Sequence, residues 1–163
     1  MRTKSRHRPR PGKGRRPGDH SSHAAAFRSG RKPLPPTPLR IFIVEDHPDT
    51  RKWLGVWLED LGHTVVSAAT CSEALEKFPR AQCTVLLCDI GLPDGTGWDL
   101  ILHLQQTHAI CAIAMSGFGR ESDWAKSKEK GYRYHVIKPL DPDVLETILE
   151  EIAQGPSSRA ACP

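Results

Sequence analysis

Four short apolar runs in this chain each end in a residue that can do chemistry. Ile41–Asp46 reads IFIVED, Val85–Asp89 reads VLLCD, Ala112–Ser116 reads AIAMS and Tyr134–Pro139 reads YHVIKP. Their ends supply two acids (Glu45, Asp46), a third acid (Asp89), a hydroxyl (Ser116) and an ammonium (Lys138). Three carboxylates brought together form a hard, oxygen-only donor set. That set suits Mg2+, which takes one or two carboxylates, waters and substrate phosphate. Without a cation or Lys138 the acids would repel one another. One carboxylate of such a set can attack phosphorus and form an acyl phosphate. Asp89 is the best candidate, because it ends the most apolar run and precedes the glycine-rich loop Ile90–Gly97, IGLPDGTG. The metal and Lys138 would neutralise the transferring group, so catalysis would be positioning and electrostatics.

These residues converge only if the runs are neighbouring parallel strands. In an open α/β sheet, ligands bind beyond the carboxyl ends of the strands, where the strand order reverses. The intervening segments have the required helical periodicity. Pro48–Leu61 carries Leu54, Trp57, Leu58 and Leu61 at i, i+3, i+4 and i+7, and Gly62 stops it. His63–Ala68 is a short second strand. Thr70 and Glu73 form a capping-box start for a helix through Phe78. Cys83–Cys88 is nearly all apolar, as in a strand covered on both faces. Trp98–Gln106 is a third helix, Ile110–Met115 the fourth strand and Tyr134–Ile137 the fifth. Glu121–Lys130 is an unusually polar helix with only Trp124 and Ala125 to bury. Asp141–Ala153 closes the pattern, with Leu145, Ile148, Leu149 and Ile152 as its core stripe. Five βα units with short connections make one three-layer domain.

Charge divides the chain. Residues 1–40 hold twelve Lys or Arg against one acid, Asp19, a balance of +11. Residues 41–163 hold eleven bases against eighteen acids, a balance of −7. The acidic body does not suit nucleic acid, and only the leader could bind it, nonspecifically. The leader, 1–39, is rich in Arg, Pro and Gly and is expected to be disordered, ending in the stiff linker Lys32–Pro38. The domain is expected over 40–154 and a frayed tail over 155–163. None of the five cysteines forms a CxxC pair, and no His lies at ligand spacing from them, so zinc is not expected. Cys83, Cys88 and Cys111 are read as small core residues, which fits a reducing cytoplasm. No apolar run is long enough to span a bilayer, and the leader shows no h-region, so a secretory signal is not expected.

The motifs VEDHPD, CDIGLPDGTG, AMSGFG and VIKPLDP, in this order from about Arg40 to Ala153, resemble the response-regulator receiver domain of two-component signalling, with a KPLDP continuation similar to receivers of hybrid histidine kinases. The resemblance implies an α/β, flavodoxin-like (βα)5 fold with a parallel sheet of order 2-1-3-4-5 and helices on both faces. It implies that Asp89 accepts a phosphoryl group from a phosphohistidine of a sensor kinase, hybrid kinase or histidine phosphotransfer protein. Asp46 would ligate Mg2+ directly and Glu45 through water, and the backbone carbonyl of Gly91 would be a further ligand. Ser116 and Lys138 would contact the phosphoryl oxygens. The expected protein is a stand-alone receiver in the cytoplasm, acting on a downstream effector through its fourth helix, fifth strand and fifth helix.

Two positions depart from the family pattern. The switch position three residues before Lys138, often Tyr or Phe in the family, is His135, read either as a groove filler or as a switch. The first acid is Glu45 rather than Asp, a change that preserves the carboxylate. Gly91 and Phe118 stand where the family places residues that position hydrolytic water, which implies slow self-dephosphorylation. An aspartyl-nucleophile phosphatase of similar architecture is the competing reading. It normally needs an acid two residues after the nucleophile, where this chain has Gly91.

Overall fold

The computed structural model describes residues 37–117 and 121–155. The leader up to residue 36, the tail after Gly155, and Phe118 lie outside the described residues. The main sheet contains β1 (Arg40–Val44), β2 (Thr64–Ala68), β3 (Val85–Asp89), β4 (Cys111–Ser116) and β5 (Tyr134–Ile137). The helices are α1 (Pro48–Asp60), α2 (Cys71–Ala81), α3 (Gly97–Leu104), α4 (Glu121–Glu129) and α5 (Pro142–Ala153). All pairings in the main sheet are parallel, in the order β2-β1-β3-β4-β5. This is the expected doubly wound architecture.

Side-chain alternation along the strands builds two cores. Ile41, Ile43, Val85, Leu87, Ile113, Met115 and Val136 face α1 and α5, where Leu54, Leu58, Leu145 and Leu149 meet them. Phe42, Val44, Leu86, Cys88, Ala112 and Ala114 face α2 and α3, against Ala74, Phe78, Leu100, Ile101 and Leu104. Leu54 and Leu58 have no exposed surface, and each such leucine stabilises the fold by about 1.5–3 kcal/mol. Cys83 and Cys88 are core residues as expected, whereas Cys111 is only partly buried.

Helix ends follow the local signals, with informative differences. Thr70 caps α2 by accepting from the Glu73 N–H at 3.1 Å, but the Glu73 carboxylate reaches the N–H of Ala69 rather than that of Thr70. The helix also continues past Pro79 to Ala81, beyond the expected end at Phe78. The buried Ala81 side chain anchors this last turn, and Arg40 Nη2 donates to the Ala81 carbonyl at 2.9 Å. Gln82 then ends the helix in the left-handed region, at φ 51°. α4 is corrected more substantially. Trp124 and Ala125 are exposed, and among the described side chains of this helix Ser127 is the buried one.

The glycine-rich loop after β3 contains a two-residue antiparallel ribbon, Gly91–Leu92 against Gly95–Thr96. Asp94 at its tip fastens it to α2. One carboxylate oxygen accepts from the Cys71 N–H at 2.8 Å, and the other accepts from the Ser72 N–H at 2.9 Å and the Ser72 hydroxyl at 2.7 Å. These donors at a helix N-terminus draw the Asp94 carboxyl from 3.8 down to about 2. A depressed folded-state pKa stabilises above 3.8 and loses that effect as pH falls towards 2. Asp94→Asn should therefore lower the urea midpoint by a constant amount at neutral pH. The gap from wild type should narrow once the pH drops below 3.8. A gap independent of pH would remove the carboxylate charge as its cause.

Candidate active site at the strand carboxyl ends

The register of four adjacent strands brings the chemistry-bearing residues together. Val44 pairs with Cys88, Asp89 with Met115, and Ser116 with Ile137. Glu45 and Asp89 are therefore strand-end neighbours, with Ser116 and Lys138 following on β4 and β5. Ligand oxygens of Glu45, Asp46 and Asp89 lie within 4.8 Å of one another. Glu45 is fully buried, Asp89 is 9% exposed and Asp46 is exposed.

A fully buried carboxylate is costly unless its charge is met. Lys138 meets it. Its Nζ lies 2.7 Å from Glu45 Oε2 and donates a short hydrogen bond to Asp89 Oδ2. The Glu45 contact is an ion pair, and among the described residues no hydrogen bond of ordinary geometry reaches Oε2. Burial pulls the Lys138 pKa down, but its hydrogen bond to Asp89 and the negative charges of Asp89 and Glu45 outweigh it, so the net shift is upward. The ammonium is thus held charged. Glu45 Oε1 accepts from the His47 N–H at 3.3 Å, and Asp89 Oδ1 accepts from the Gly91 N–H at 3.0 Å. Gly91, expected from the resemblance to contribute its carbonyl, is brought to Asp89 through its N–H. Arg51 of α1 donates to the carbonyls of Glu45 at 2.6 Å and Asp46 at 3.1 Å, tying the end of β1 to the first helix.

The loop after Asp89 is held closely against the strand. A Cβ at Gly97 would sit 2.5 Å from the Asp89 carbonyl oxygen and 3.1 Å from Cys88 Sγ, so this approach requires glycine. Buried Tyr132 donates its hydroxyl to the Gly97 carbonyl at 2.7 Å. Burial raises the Tyr132 pKa well above its ordinary value, and so it stays a donor. On the same side, His135 is 8% exposed and bonded at both ring nitrogens. Nε2 lies 2.7 Å from Ser116 Oγ and Nδ1 lies 3.0 Å from Ser127 Oγ. Trp98 Nε1 also donates to Ser127 Oγ, at 3.1 Å, and the Trp124 ring stacks on His135 at 5.9 Å.

The response regulator receiver domain model matches residues 41–150. The chain belongs to the response regulator receiver family. An uncharacterized 14.6 kDa protein from the sodA1 3′ region of Leptolyngbya boryana is 32% identical to this receiver over 116 residues, covering 69% of this chain and 88% of that protein. The KDP operon transcriptional regulatory protein KdpE of Escherichia coli is 30% identical over 121 residues, covering 74% of this chain and 54% of its own length. The chain thus spans about half of KdpE, and it spans 23% of the response regulator PilR of Pseudomonas aeruginosa. The crystal structure of a CheY-like receiver domain protein from Methanospirillum hungatei superposes with a TM-score of 0.66 at 29% identity, over 72% of this chain and 96% of that one.

All the strand-end residues read from the receiver's sequence lie at the carboxyl edge of the sheet. Sequence reasoning missed Arg51, Asp94, Trp98, Ser127 and Tyr132. Tyr132 carried a faint signal, an aromatic just before a strand, but a lone serine on a polar helix carried none. Among the described residues, no helix is long and apolar enough to cross a membrane.

Burial lowers the His135 pKa from 6.5, against a raising contribution from Asp123. The unfolded chain then binds the proton more readily than the folded one. His135 therefore leaves stability undiminished above pH 6.5 and costs stability as pH falls from 6.5 towards its folded-state value. Urea midpoints measured between pH 7.5 and 5.5 should fall on acidification, and His135→Gln should flatten that fall. An equally steep slope in His135→Gln would assign the acid sensitivity to other groups.

Proposed function

We propose that this receiver accepts a phosphoryl group on Asp89, in a Mg2+-dependent reaction, from a phosphohistidine of a sensor kinase, hybrid kinase or histidine phosphotransfer protein. The observation carrying this reading is the convergence of three carboxylates within 4.8 Å, with Lys138 bridging Glu45 and Asp89. Their donor chemistry fits Mg2+, which takes hard oxygen ligands at about 2.0–2.1 Å and keeps several waters. Asp46 and Asp89 would hold it directly, Glu45 through water, and Gly91 through its carbonyl. Bound there, Mg2+ would supply positive charge against the phosphoryl oxygens. An Asp89 carboxylate oxygen bonds to phosphorus as the phosphorus–nitrogen bond breaks. The electron pair stays on the leaving imidazole nitrogen, which takes up a proton. Lys138 offsets the charge on the transferred group, and Ser116 donates to one of its oxygens.

Output would pass to an effector protein through α4, β5 and α5, with His135 and Ser116 as the switch. Large apolar side chains stand exposed there, Trp124 at 53%, Ile137 at 47% and Val144 at 50%. α4 is held largely through polar contacts, which suits an element that shifts at low cost. We assign residues 40–154 to the receiver and 1–39 to a basic leader able to bind polyanions nonspecifically. A cytoplasmic location fits the free buried thiols Cys83 and Cys88.

Asp89→Asn should abolish incorporation of labelled phosphate from acetyl phosphate in Mg2+, and EDTA should abolish it in the wild type. Equal labelling of the variant would place the acceptor elsewhere. Asp46→Ala should weaken Mg2+ binding by at least the roughly 10–100-fold that loss of an outer-sphere partner causes. Titration by tryptophan fluorescence checks this, and an unchanged affinity would exclude Asp46 as a ligand.

A further inference from the structure

We infer that Ser127 of α4 is a positioning residue for phosphoryl transfer, acting through His135 to set the direction of the Ser116 hydroxyl. The inference rests on Asp89 being the acceptor, with Ser116 beside the transferred group.

Ser127 is 1% exposed, and a buried hydroxyl must place its own hydrogen on an acceptor. Its side-chain oxygen has two partners, Trp98 Nε1 at 3.1 Å and His135 Nδ1 at 3.0 Å. An indole N–H only donates, so Trp98 takes one lone pair of Ser127 Oγ and offers nothing in return. The Ser127 hydrogen therefore goes to His135 Nδ1, which must be unprotonated. The ring proton of neutral His135 is then on Nε2, and Nε2–H donates to Ser116 Oγ across 2.7 Å.

This polarity has a consequence for Ser116. An oxygen that accepts from His135 keeps its own hydrogen for donation, as a hydroxyl beside a phosphoryl oxygen requires. The opposite tautomer would make Ser116 spend its hydrogen on Nε2. The direction is thus set from α4, by a serine whose lone pair is oriented by the first turn of α3. Trp98 is itself held in place by Lys126, whose Nζ lies 3.7 Å over the ring. The path from Trp98 through Ser127 and His135 to Ser116 links the helix after the acceptor loop, α4, β5 and the end of β4. A Tyr or Phe at position 135 could not form it, because neither ring bonds at two edges in this way.

The test uses the full chain with 15N-labelled histidine. Ring-nitrogen shifts of wild-type His135 at pH 7.5 should show a protonated Nε2 and an unprotonated Nδ1. Ser127→Ala removes the donor to Nδ1 and should give a mixture of tautomers. It should also slow labelling of Asp89 by acetyl phosphate about threefold to tenfold, the size of one net hydrogen bond. Ser127→Thr keeps the hydroxyl and should restore both readouts. A wild-type His135 protonated at Nδ1 overturns the inference. So does a Ser127→Ala variant with unchanged tautomer or unchanged rate. The wild-type measurement needs no variant, so it decides the tautomer even if Ser127→Ala does not fold. If wild-type Asp89 takes no label at all, the acceptor reading fails instead, and the tautomer result still judges the hydrogen-bond path.

Discussion

The ammonium of Lys138 is the contact on which the rest of this site depends. It stands between Glu45, which has no exposed surface, and Asp89, which has little. Two buried carboxylates this close repel one another. A positive charge between them offsets that repulsion, and their two charges in turn hold the lysine protonated. The arrangement is also geometric. Lys138 follows β5, Asp89 ends β3 and Glu45 follows β1, so the charge triplet bridges the carboxyl edge of the sheet across β4. Any slip in strand register would leave a buried charge without its partner, so electrostatics and topology enforce the same alignment.

The two faces of the sheet are built differently. On the α1 and α5 side the contacts are aliphatic, with Leu54, Leu58, Leu145 and Leu149 closing over Ile and Val side chains. On the other face, α2 and α3 are apolar, but α4 is held by polar atoms, Ser127 to Trp98 and Ser127 to His135. Directional bonds of this kind are each worth little net, and they are lost abruptly when geometry changes. Close-packed leucines resist a shift of the whole helix, whereas a helix held at a few polar points can be released by moving one of them. The proposed signalling role uses that difference, since the contacts holding α4 lead directly to Ser116.

The segment after Asp89 shows the same economy of contacts. Asp94 ties the ribbon to the N-terminus of α2, and Tyr132 holds Gly97 from the opposite side. The Gly91 N–H returns to Asp89 itself. Asp89 therefore ends a buried strand and is followed by a loop fixed at three points. In the proposed role of Asp89 as acceptor, this leaves little reorganisation to be done at the moment of reaction.

By itself the sequence determined the order of strands and helices, the two-sided burial of β3, and the set Glu45, Asp46, Asp89, Ser116 and Lys138. Those features are local. They follow from apolar periodicity and from which residue ends each run, and both can be read along the chain. The tertiary structure alone decided that Lys138 reaches Glu45 as well as Asp89, that α2 runs past Pro79, and that α4 buries Ser127 in place of Trp124. Each depends on a partner distant in sequence: Arg40 for the end of α2, Trp98 and His135 for Ser127, and strand register for Lys138. Hydrogen-bonding partners of this kind leave no periodic trace. An isolated serine on a polar helix reads as solvent-facing until the fold brings a donor and an acceptor to it.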